Sequence, residues 1–261
     1  MKTTLLRHST SHKRSTMPAD PTYNNPLHLQ HTTANLSWLK IAAILAMVWD
    51  HLAYGLLIHN PILLPWWTIL RTPGRISIPI FALLIAWNYA HNTRHPAQYV
   101  ARLTIFAFIC EPIYILYFGY PGNAFVPLAL GAAILHHWNP ATKTTHKDAK
   151  HAGLWILAGT IAICFHAPDI FAETAIITLL GQYFIDNPKR KQWKALTAIA
   201  LMPALNGQCW QFYAMYALVL LAVWATMQTA LSLPNVKLPK WLAYGFYPLH
   251  LLGLLALIGP A

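Results

Sequence analysis

Charge is what this sequence holds least of. Only 10% of its 261 residues are Asp, Glu, Lys or Arg, and just seven of those are acidic. A soluble domain carries about a quarter charged residues, so there is too little polar material to coat a water-soluble globule of this length. Cysteine is scarce as well. Cys110, Cys164 and Cys209 form no CxxC pair, and three is an odd number, which argues against a disulfide framework. Each lies in or beside an apolar run, where a thiol behaves as a small hydrophobe. Residues 1–35 contain no apolar stretch of the ~7–15 residues that a secretory signal needs. They read as a polar cytoplasmic tail, expected to be disordered, with 36–261 as the folded domain.

Apolar and aromatic residues fill the rest. Hydrophobic residues make up 56% of the chain and aromatic ones 13%, and the mean hydropathy is +0.41. From Leu36 onward, apolar runs follow one another at roughly 36–58, 66–90, 99–118, 123–137, 152–166, 170–185, 193–206, 209–228 and 241–258. The first three and the eighth are long enough to cross ~30 Å of hydrocarbon as helices; the fourth to seventh are short for that. The expected fold class is an all-α, polytopic transmembrane helix bundle of about nine spans, with seven to ten as the range.

The net charge of +11 would suit nucleic acid if it were spread over one surface. It is instead gathered between apolar runs. Alternate connectors, counted from the N-terminus, hold sixteen of the eighteen Lys and Arg, from Lys2 and Lys40 through Arg94, Lys147 and Lys189 to Lys240. The connectors near Asn60, Pro121, Ala167 and Gly207 hold none. By the positive-inside rule the N-terminus is expected in the cytoplasm and the C-terminus in the periplasm, in a multi-pass protein of the bacterial inner membrane. No nucleic-acid partner is expected; membrane lipid is.

The two remaining basic residues, Arg71 and Arg75, lie inside the second run. Arg75 is ~14 Å along a helix from Trp66, and His51 is ~16 Å along the first helix from Lys40. The two helices run in opposite directions, so these distances bring His51 and Arg75 to one depth in a ~30 Å bilayer. Ionisable groups at such depth are functional by default. A structural ion pair of Asp50 with Arg75 would explain two of them. It would not explain His51, nor Glu111, Asn123, Glu173, Asn206 and His250 in other runs. Asp50 and His51 are adjacent and point about 100° apart on a helix, so a group from another helix is needed to orient the imidazole. Metal binding by His51, His250 and Glu173 has no HExxH or HxxxH spacing behind it, and no metal is expected. Pro79, which cannot donate a backbone hydrogen bond, should break the helix near Arg75.

The strings Leu45-Ala46-Met47-Val48-Trp49-Asp50-His51, Gly74-Arg75-Ile76-Ser77-Ile78-Pro79-Ile80-Phe81, Pro203-Ala204-Leu205-Asn206 and Tyr247-Pro248-Leu249-His250-Leu251 resemble those of the TraX family. That family includes the enzyme that acetylates the N-terminus of conjugative F-type pilin. The resemblance covers about 36–258, and Glu111 stands where the family often has Gln. TraX proteins in turn look like relatives of the polytopic membrane acyltransferases, which use an embedded His and acyl-coenzyme A. The resemblance therefore implies an acetyltransferase with acetyl-CoA as co-substrate and a pilin subunit as acceptor. It implies His51 as general base, Asp50 as its electrostatic partner, and Arg75 at the oxyanion or the coenzyme phosphates. Arg71, Asn88, Glu111, Asn123, Glu173, Asn206, Tyr247 and His250 are the expected substrate or cofactor contacts, with Asn123 and Asn206 as further oxyanion donors. The rival readings are a small proton-coupled transporter and a non-catalytic pilus assembly factor.

Overall fold

In a computed structural model, residues 26–138, 154, 157, 168–185, 236 and 238–260 are described. They are helical, with no strand among them. Helix α1 spans Pro26–His59 and is followed by a 3-10 turn, Pro61–Trp66, then α2 (Trp67–Arg75) and α3 (Ser77–Trp87). A π-helical turn, Asn88–Asn92, ends that arm. Helix α4 spans Pro96–Phe118, α5 Phe125–Trp138, α6 Pro168–Ile185 and α7 Lys240–Ile258.

Prolines and glycines set the boundaries. Pro61 and Pro96 open their helices at positions where a missing N–H is harmless. Gly119 closes α4 in the left-handed conformation, its N–H donating to the Ile115 carbonyl at 2.8 Å. Pro79 has no N–H to give the carbonyl of Arg75, four residues back. The helix accordingly breaks between Arg75 and Ser77.

Among the described residues, three helical segments are long and apolar enough to cross a membrane: Leu36–His59, Pro61–Asn92 and Pro96–Phe118. They coincide with the first three expected spans. The fourth, sixth and ninth are the shorter apolar helices Phe125–Trp138, Glu173–Ile185 and Tyr244–Ile258. The other three expected spans lie largely or wholly outside the described residues. Helix α1 begins at Pro26, so the final part of the expected tail is helical.

The helices bury one apolar core and present another apolar surface outward. Leu103, Cys110, Tyr117, Leu135, Ile176 and Leu251 are closed inside, while Leu45, Ile69, Phe108 and Leu257 lie 63–84% exposed. So much outward hydrophobic surface is a liability in water and fits lipid, where helices satisfy their own backbone.

Helix α1 packs along α2 and α3, α5 between α4 and α6, and α7 against α4 and α1. At the crossing of α1 and α2 the backbones nearly touch. A Cβ on Gly74 would fall 2.6 Å from the Asp50 backbone nitrogen. Small residues allow such close approach between membrane helices, and here it sets Asp50 against the charged end of α2. Gly74→Ala is expected to destabilise the detergent-solubilised protein by about 1–3 kcal/mol. Gly245→Ala, where a Cβ meets nothing within 4 Å, should leave the melting temperature unchanged or raise it. Equal melting curves for Gly74→Ala and the parent would contradict the close crossing.

A candidate active site around Asp50 and His51

The site is built on adjacent residues in α1 that face different partners. Asp50 turns to α2. The Arg71 guanidinium donates to it twice, Nε to Oδ1 at 2.9 Å and Nη2 to Oδ2 at 2.7 Å. This is the forked geometry that makes Arg–carboxylate pairs strong. Tyr54 and Trp67 hold the same guanidinium through their ring faces, with centroids at 4.8 and 5.1 Å. Arg75 follows one helical turn later, its Nε 3.6 Å from Asp50 Oδ1 and its side chain 24% exposed. Arg71 is thus the main partner of Asp50, and Arg75 the second. Arg71, expected from the sequence as a substrate or cofactor contact, is buried at 7% exposure and turned to Asp50. Both arginines lie on one face of the α2 helix because they are four residues apart.

His51 turns to α7. Its Nδ1 lies 2.7 Å from Nε2 of His250, and the rings lie nearly parallel. Nδ1 of His250 is 3.0 Å from the carbonyl of Phe246. A carbonyl can only accept, so His250 Nδ1 carries a proton, and in the neutral ring Nε2 is then an acceptor. His51 Nδ1 must therefore donate to it. The Nε2 of a neutral His51 keeps its lone pair. Fixing a tautomer through the other ring nitrogen in this way is a common device. Phe118 and Tyr247 stand edge-on to the imidazole, with centroids at 5.2 and 6.0 Å. The Tyr117 hydroxyl donates to the His51 carbonyl at 2.8 Å, tying α4 to α1 at this residue.

Glu111 and Asn123 form a second polar group, between α4 and α5. The Glu111 carboxylate accepts from the N–H groups of Gly122 and Asn123, at 2.6 and 3.2 Å, and from the Asn123 amide. Asn123 Nδ2 also donates to the Ala107 carbonyl at 2.8 Å, and its Oδ1 accepts from Phe125 N–H. Gly122 makes the turn possible with φ at 115°. Asn123 is fully buried and both amide hydrogens are used. It closes a turn, and has none left for an oxyanion. The turn reaches the main site through Ala124, whose N–H points to the Tyr247 hydroxyl at 3.5 Å.

The other expected contacts are dispersed. Glu173 is buried on α6. Asn88 lies in the π-helical turn, bonded to Asn92 and Thr93, on the wall of a cavity of about 590 Å³. Asn206 lies outside the described residues. Lys40, Arg94, His95 and Arg102 border the same cavity, and Met47, Phe246 and Tyr247 line it on the side of the imidazole pair. These basic residues are explained in the sequence by topology alone, and only their convergence on one opening singles them out. No group of three or more His, Cys, Asp or Glu capable of holding a metal occurs among the described residues.

Comparison with known families decides the relationship. A family model described as TraX protein matches residues 35–258. The chain belongs to the TraX family. No curated protein and no solved structure matches it. The matched TraX segment contains every residue of the Asp50 and His51 site.

Removing one partner of a buried ion pair leaves an uncompensated charge, at about 3–5 kcal/mol. Asp50→Asn and Arg71→Met are each expected to destabilise the protein by that amount. The double variant should recover most of the loss, and Arg75→Met should cost less than Arg71→Met. Thermal unfolding in micelles, read as a double-mutant cycle, measures this; additive losses would mean that Asp50 and Arg71 do not interact.

Proposed function

We propose that this protein is an acetyltransferase of the bacterial inner membrane, moving acetyl from acetyl-CoA to the N-terminal α-amine of a conjugative pilin. Membership of the TraX family supports a role in F-pilin processing. The observation that carries the chemistry is the hydrogen-bond chain from the Phe246 carbonyl through His250 to His51, which leaves an imidazole lone pair one residue from the carboxylate that holds two guanidinium groups.

An ammonium group is not a nucleophile, so the acceptor must lose a proton. The ammonium form releases one proton to solvent, and His51 Nε2 takes a second as the neutral amine nitrogen bonds to the thioester carbonyl carbon. The carbon–sulfur bond then breaks, and the imidazolium returns its proton to the departing thiolate. Amine and thioester become amide and thiol, with His51 restored. A positioned base of this kind contributes ~10²–10⁴-fold. Between these steps the carbonyl oxygen is an oxyanion, best stabilised by donors already fixed in a water-poor site. Arg75 suits this, being the more exposed of the two arginines at Asp50. Asp50 and Arg71 keep that end of the site rigid and near charge balance.

His51→Gln keeps the size of the side chain and removes the base. It is expected to lower pilin N-acetylation by roughly 10²-fold or more, with the variant still inserted and monodisperse. The intact mass of mature pilin made in the presence of each variant reads this directly. Full acetylation with inserted His51→Gln would overturn the role of His51, and wild-type protein that never acetylates pilin would overturn the function.

A further inference from the structure

The cavity bordered by Asn88 has one charged end and one apolar end. Lys40, Arg94 and Arg102 lie at the charged end, with His95, the N-cap of α4. Among the described residues, no Asp or Glu lines it. A helix amino end adds partial positive charge and unpaired N–H groups, and arginine forks match phosphate oxygens two at a time. Topology accounts for basic residues on this side of the membrane, but not for their gathering around one opening. From there the wall becomes apolar through Ile44, Leu84 and Leu128. It ends at Met47, one turn before His51, and at Tyr247, whose ring faces the imidazole.

This shape selects its ligand. A sugar or an extended peptide would leave its polar groups unpaired along the apolar wall. A diffusible anion would be held at the mouth and have no use for the depth. A molecule with a polyphosphate head and a long, thin arm satisfies both ends. The eleven residues from Lys40 to His51 on α1 span ~16 Å, so the arm must cover that distance to bring its end to the imidazole. Acyl-coenzyme A has this form.

We infer that this cavity is the acyl-donor site: Lys40, Arg94 and Arg102 bind the phosphates of the coenzyme, and the pantetheine arm runs along the apolar wall to the His51–His250 pair. This rests on the acyltransferase reading above, and adds the residues and the route. Anionic lipid headgroups share the phosphate chemistry of the mouth, so the test must separate them from the coenzyme.

Equilibrium binding of coenzyme A, which has no acetyl group to transfer, is measured on the full chain in zwitterionic lipid nanodiscs. Pantetheine, which lacks the phosphates, is measured beside it. Arg94 and Arg102 are exposed, so Arg94→Gln/Arg102→Gln should fold. The double variant is expected to bind coenzyme A roughly tenfold or more weakly and pantetheine as the parent does. Added salt should weaken coenzyme A binding to the parent and leave pantetheine unaffected. If the double variant binds coenzyme A like the parent, the assignment of the phosphate site is wrong and the acyltransferase reading stands. If the parent binds no coenzyme A at millimolar concentration, both fall. If phosphatidylglycerol is retained at these arginines and coenzyme A does not displace it, the mouth is a lipid site and the inference is overturned.

Discussion

An isolated carboxylate is costly to hold within a membrane helix, and the site depends on how that cost is met. Asp50 is buried against α2 and receives both arms of the Arg71 guanidinium. Desolvating two ions is repaid only by good geometry and additional contacts, and Arg71 has both: a bidentate bond and two aromatic faces. Gly74 allows the α1 and α2 backbones close enough for the pair to form. With α1 anchored there, the next residue, His51, is turned toward α7. The ion pair therefore sets the imidazole in place without touching it.

Two polar groups then divide the work. The Glu111–Asn123 cluster spends its hydrogen-bonding capacity on the backbone of the α4–α5 turn. It fixes the turn that carries Ala124 toward Tyr247, and through Tyr247 one wall of the imidazole pocket. The His51–His250 pair commits three of its four ring nitrogens to hydrogen bonds that fix the rings and leaves one, Nε2 of His51, outside them. Buried polar groups that are fully satisfied are scaffold. A lone pair held in a fixed direction in a water-poor site is what a proton-transfer catalyst requires.

Hydropathy and charge made the membrane class, the first three spans and the common level of Asp50 and Arg75 legible in the sequence. Helical rise alone brings those residues level across antiparallel helices. It does not say which of Arg71 and Arg75, on one face four residues apart, meets Asp50, because that depends on helix rotation and on the contact at Gly74. Nor could the sequence separate Asn123 from a substrate contact. Its amide is consumed by Glu111 and Ala107, partners brought to it by the turn at Gly119–Gly122. Lys40, Arg94 and Arg102 carried no signal beyond topology, since a cavity is made by helices distant in sequence. The need for a group from another helix to orient His51 was readable from the 100° step between neighbours, though not that His250 is that group.

Nitrogen-15 solid-state NMR of histidine-labelled protein in lipid bilayers distinguishes protonated from unprotonated ring nitrogens. Among the 14 histidines, His51 and His250 can be assigned by difference against His51→Gln and His250→Gln. The expected result is that both rings are neutral, each with a protonated Nδ1 and a bare Nε2, and that the His51 Nδ1–H is shared with His250 Nε2. A His51 ring protonated at Nε2 would leave no base for the acceptor amine, and would contradict the fixed tautomer on which the proposed catalysis is built.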